Sequence, residues 1–155
     1  MVILFFALLG LWTWKEQSDY EKTAVPYLKS VIPEMATWNS DVAWEHLAEG
    51  IRDQTNRDDH AKIIRYLSSL GALENLGRPQ FRQVTSSASV RNGTQKLVFY
   101  QVPAVFEKGE ASIDVTLLDE DGQFSIYAFH VRSMAFAEHQ NGQSNEPETQ
   151  DDTPE

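Results

Sequence analysis

The chain has 155 residues, 41% of them hydrophobic and 23% charged, which suits one globular domain with a real core and leaves little room for two. It contains no cysteine, so disulfides, thiol nucleophiles and cysteine-ligated zinc are excluded. The formal net charge is -10, with six of the acids and no Lys or Arg after residue 133. No basic footprint is left to replace the counterions of a nucleic acid, which is therefore not expected as a partner.

The first fourteen residues, MVILFFALLGLWTW, carry no charged side chain. As a helix they would be about 21 Å long, short of a roughly 30 Å hydrocarbon layer. Trp12 and Trp14, followed by Lys15 and Glu16, have the look of an interfacial belt and a membrane exit. A membrane anchor over residues 1–14 is the expectation, with an inner-membrane location and the remaining chain on the periplasmic side. A cleaved signal segment and a buried N-terminal helix are the two alternatives.

Tyr20, Ala24, Tyr27, Leu28, Val31, Ile32, Met35 and Trp38 follow the rhythm of one apolar helix face, with Pro26 and Pro33 expected to kink that helix or delay its start. Asn39 or Ser40 can cap a second helix carrying Trp44, Leu47, Ala48 and Ile51. Thr55 and Asp58 fit a capping box for a third helix, with Ile63, Ile64, Leu67 and Leu70 turned inward and Gly71 as its stop.

After Gly77 the period shifts towards two. Phe81 to Val90 reads as a serine-rich strand and RNGT, residues 91–94, as a turn. Val98, Tyr100, Val102, Ala104 and Phe106 alternate along a second strand, where Pro103 implies a bulge or an unpaired amide. Ile113, Val115 and Leu117 alternate along a third, and the DEDG turn leads into a fourth, Phe124 to Val131. Helices followed by hairpin-linked strands give the α+β class, with a curved antiparallel sheet of about four strands wrapped over the first helix. This cone-like domain should span residues 15–133, and residues 134–155 should form an acidic, disordered tail.

Leu70 with Gly71, Tyr100 and Phe106, Gly109, Gly122 with Phe124, and Phe129 together resemble the nuclear transport factor two-like (cystatin-like, cone-shaped) superfamily. Small envelope domains of bacteria are the nearest likeness within it. The resemblance implies a sheet bent around the helices, often enclosing a pocket, and frequently a homodimer. The superfamily holds isomerases, dehydratases and hydrolases beside members with no catalytic activity, so the fold does not dictate a reaction. No set of residues here aligns with the catalytic sets of those enzymes.

Asp119, Glu120 and Asp121 offer oxygen ligands, but strands crowd them on both sides and Asp-Gly favours a hairpin turn. Asp58, Asp59 and His60 form the tightest acid–imidazole group, which a general base would use and a helix N-terminus would also explain. His46, His60, His130 and His139 have no metal-ligand spacing, and no cofactor is expected. Tyr66, Tyr100 and His130 are the candidates to line a pocket. His130 shares the parity of Phe124, Ile126 and Ala128, although a bulge could exchange the faces of that strand. Leu97, Phe99, Val105, Tyr127 and Phe129 form a second apolar set, read as a partner surface or as a surface the chain itself covers. Two functions follow: a non-catalytic binding or assembly module with a homodimeric or envelope-protein partner, and a small-molecule enzyme or carrier that uses the cone.

Overall fold

A computed structural model describes residues 2–89 and 93–136; within that range the side chains of residues 2–14, 16, 87–89, 93 and 94 lie outside the description. The architecture is α+β, with helices first and a five-stranded antiparallel sheet after them. The apolar segment 1–14 and the tail beyond residue 136 fall on side chains or residues outside this description. Among the described residues, no helix is long and apolar enough to cross a membrane.

Helix α1 spans Val2–Met35. Tyr20, Ala24, Leu28, Val31, Ile32 and Met35 are buried, as their spacing predicts. Both prolines lie within the helix without ending it. They are exposed, so each missing N–H falls on the solvent side rather than in the core. The expected late start does not occur.

Helices α2 (Ser40–His46) and α3 (Glu49–Gln54) replace the single second helix read from the sequence. The break has a cause: the Ala48 N–H donates to the Ile126 carbonyl at 2.8 Å, and Leu47 bridges the same residue in parallel. The chain spends those two residues on the sheet instead of on helix continuity. Asn39 caps α2, its side chain accepting from the amides of Asp41 at 3.0 Å and Val42 at 3.4 Å.

Helix α4 spans Arg57–Leu67 and is capped by Asn56, not by a Thr55 box; its side chain accepts from the amides of Asp58 and Asp59. Asn places its oxygen one residue nearer the first turn, and Thr55 instead donates back to the Ile51 carbonyl. Ile64, Leu67 and Leu70 turn inward, but Ile63 is 56% exposed and lies off the buried stripe.

Strand β1 (Leu73–Leu76) has no counterpart in the sequence reading, being too short to show a period. It raises the expected four strands to five. β2 (Gln80–Ser89), β3 (Gly93–Phe106), β4 (Gly109–Glu120) and β5 (Gln123–Ser133) complete the sheet. β3 is central: β4 lies along one side, while β2 and β1 share the other in succession. Pro103 falls in the gap between them. Its carbonyl accepts from the Gly77 N–H at 2.7 Å, so its missing N–H faces the same gap and costs no ladder bond to β4. Gly77 is required there, because a Cβ would stand 2.6 Å from the proline ring.

The core lies between α1, α2 and α4 and one face of the sheet, here called the inner face. Val98, Tyr100, Val102, Ala104 and Phe106 of β3 meet Ile113, Val115 and Leu117 of β4 on it. Ala135 and Phe136, placed in the tail by the sequence reading, also pack on this core, and the Phe136 ring stacks on Tyr66 at 4.8 Å.

Candidate functional site

The DEDG stretch is the corner of a hairpin. Glu120 pairs with Gln123, and Asp121 and Gly122 have φ of 55° and 86°, the two left-handed positions of a two-residue turn. Asp119 is not free for a cation: one oxygen accepts from the Gly122 N–H at 2.8 Å and the other from the Tyr20 hydroxyl at 2.8 Å. Among the described residues no group of His, Asp and Glu is placed to hold a metal ion.

The faces of β5 turn on one residue. Thr116 pairs with Ala128 and Leu117 with Ile126, so Tyr127 is an extra residue bulged out of the ladder. Before the bulge Phe124 and Ile126 face the helices; after it Phe129 and Val131 do. His130 is therefore exposed on the outer face, opposite Asp114, rather than inside the cone.

The three pocket candidates do not converge. Tyr66 is 52% exposed on α4, His130 lies on the outer face of β5, and Tyr100 is buried on the inner face. The Tyr100 hydroxyl has no hydrogen-bond partner among the described residues, and burial, with the Glu21 carboxylate adding to it, pushes its pKa up to about 12. The Phe81 ring stands edge-on to it at 5.8 Å. Elsewhere on the inner face Phe106 is fully buried under Trp38 at 5.5 Å, and Phe124 packs on Tyr27 at 5.6 Å and on Tyr20 at 6.3 Å.

The acid–imidazole group at the start of α4 also separates. Asp59 is exposed and pairs with Lys62 at 2.9 Å. His60 turns the other way, buried with its ring edge-on to Trp44 at 5.3 Å and its Nδ1 without a hydrogen-bond partner among the described residues. Burial, and then the Arg57 charge, hold its pKa below the ordinary value. An imidazole whose proton is disfavoured in this way packs as a buried structural residue.

Leu97 and Phe99 share the outer face of β3, where they pair with Leu118 and Thr116. Ala128 continues that row on β5. Phe129, read with them from the sequence, is on the helix side. A polar row bounds the apolar one: Arg82 bonds Gln101, Gln101 donates to Ser112 at 2.8 Å, and Arg132 pairs with Asp114 at 2.7 Å.

Tyr127, 39% exposed, stands at the end of the apolar row beside a groove of about 470 Å³. The groove lies between α3 and the strands; Ile51 and Leu118 are among its apolar walls, and Glu49, Asp53 and Glu120 supply its carboxylates. Sequence reasoning missed it. The acids at 49 and 53 share a helix face at i, i+4, but only the bridge at Leu47 brings that face over the sheet. No protein-family model matches the chain, and no curated protein matches it.

Proposed function

We propose that the chain is a non-catalytic binding or assembly module that works through the outer face of its sheet. One observation carries this reading. The inner face is filled by the protein's own helices, while Leu97, Phe99 and Tyr127 gather on the opposite face beside the α3 groove. Apolar residues grouped on a sheet face with a polar border suit a protein partner.

The order of helices and hairpins supports a place among the nuclear transport factor two-like domains, and the apolar segment 1–14 supports attachment at a bacterial inner membrane with the domain on the periplasmic side. A homodimer or another envelope protein is the partner in this proposal. The test is co-purification and mass measurement of the full chain beside Leu97→Asp and Phe99→Glu variants. Loss of a partner or of self-association with an unchanged circular dichroism spectrum supports the outer face. A chain that is strictly monomeric and brings down no protein refutes it.

A further inference from the structure

The fold treats the two edges of its sheet differently. On the β5 side, the link between α2 and α3 closes part of the edge through the Ala48 to Ile126 hydrogen bond and the Leu47 bridge. On the other side, among the described residues, β2 pairs with β3 alone along Gln80–Ser89. Alternate N–H and C=O groups of β2 therefore point away from the sheet, with no strand among the described residues to receive them.

Exposed edges are usually blunted by prolines, charges or bulges. β2 has one such device, the irregularity between Phe81 and Gln83 that sets Arg82 out of register. From Gln83 to Ser89 the strand reads QVTSSAS, with neither a proline nor a charge. Gln83, Thr85 and Ser86 are exposed. The surrounding sequence is also unlike the rest of the chain: residues 75–106 hold four bases and no acid, in a protein of net charge -10. Two copies repel each other through their acids over most of their surface; along this edge no acids meet, and the four bases of each copy lie outside Gln83 to Ser89.

We propose that β2 pairs antiparallel with β2 of a second copy, joining two sheets into one about a two-fold axis. Such a contact uses the same strand on both sides, as a closed dimer requires. Centred near Thr85, it sets the neutral Thr, Ser and Gln side chains opposite one another, where hydroxyl pairs stabilise cross-strand contacts. It also carries the two Arg82 side chains to opposite ends of the pair, roughly 20 Å apart along the strands at about 3.3 Å per residue. A second copy is the fitting occupant because Gln83 to Ser89 carry no charge, so the strand can meet itself without setting like charges opposite each other. The contact uses the edge and not the outer face, so it can hold or fail separately from the reading above.

The absence of cysteine makes the test direct. Thr85→Cys in the full chain, treated with a short bis-maleimide, should give a covalent dimer on a denaturing gel. Gln123→Cys, exposed at the start of β5, should not. Thr85→Lys should abolish self-association with an unchanged circular dichroism spectrum, and mixing it with Thr85→Glu should restore a heterodimer. The proposal is overturned if Thr85→Cys cross-links no better than Gln123→Cys, if it cross-links only to a different protein, or if folded Thr85→Lys remains dimeric.

Discussion

The Trp38 indole N–H donates a 2.7 Å hydrogen bond to the Gly71 carbonyl, tying the exit of α1 to the point where the chain leaves the helices for the sheet. Both residues hold left-handed backbone, Trp38 at φ 57° and Gly71 at φ 78°. Only the glycine does so without steric cost. The strain at Trp38 is offset by this bond and by the ring contact with Phe106.

Trp38→Phe keeps most of the ring contact and leaves the Gly71 carbonyl without its donor. It should lower unfolding free energy by ~1–3 kcal/mol. Gly71→Ala should also destabilise, since the added Cβ would meet the Glu107 side chain, with its Cβ at 2.8 Å, in addition to the backbone strain. Chemical denaturation of both variants checks this; wild-type midpoints would contradict the role given to the pair.

Asp119 joins the last hairpin to α1 by accepting from Gly122 and from Tyr20. Asp119→Ala should cost ~1–3 kcal/mol and Tyr20→Phe less, because the second change removes only one of the two bonds. Calcium should leave the melting temperature of the wild type unchanged. A rise with micromolar calcium, lost in Asp119→Ala, would restore the turn as an ion site.

His60 sets a pH dependence with a definite sign. Its pKa is lowered in the fold, by burial and then by Arg57, so the folded state disfavours the proton that the unfolded chain accepts near the ordinary value of about 6.5. The stability tied to the neutral ring is fully present above about pH 6.5 and declines as pH falls towards the lowered folded pKa. Melting temperature should therefore fall more steeply from about pH 7 to 5 in the wild type than in His60→Gln. Equal slopes would remove His60 as the source.

Deleting Tyr127 should be far more damaging than Tyr127→Ala. The deletion removes the bulge, so either Phe129 and Val131 leave the core or β5 slips against β4. Full burial of two such side chains would be worth roughly 3–6 kcal/mol; Phe129 and Val131 are half-buried, so part of that is lost, still a large share of a net stability of order 5–15 kcal/mol. Tyr127→Ala loses only a side chain that is 39% exposed and should stay within about 1 kcal/mol of wild type. Denaturation of the two variants separates these cases.

Much of the fold was legible because burial here follows period. Tyr20 to Met35 on α1, Val98 to Phe106 on β3 and Ile113 to Leu117 on β4 are buried at the spacing each element demands. The DEDG turn was legible because Asp-Gly suits two left-handed positions in succession. The outer-face pair Leu97 and Phe99 was legible as the opposite parity of β3. β1 was not, since four residues of mixed burial show no alternation. The split of α2 from α3 was not, since it rests on a hydrogen bond to Ile126, nearly eighty residues further along.

By itself, then, the sequence determined the helical periods of α1 and α4, the alternation of the later strands, the order that makes the chain α+β, and the DEDG turn. These depend on residues close together along the chain. Tertiary structure alone decided which way His130 and Phe129 face, because the bulge at Tyr127 lets β5 keep its ladder to β4 while both Ile126 and Phe129 reach the core. It likewise turned His60 inward and away from Asp59, set Ala48 to Gln54 beside Tyr127 to form the groove, and, among the described residues, left β2 with one paired side. Each of those outcomes is fixed by a partner distant in sequence, and a period of two or 3.6 carries no record of it.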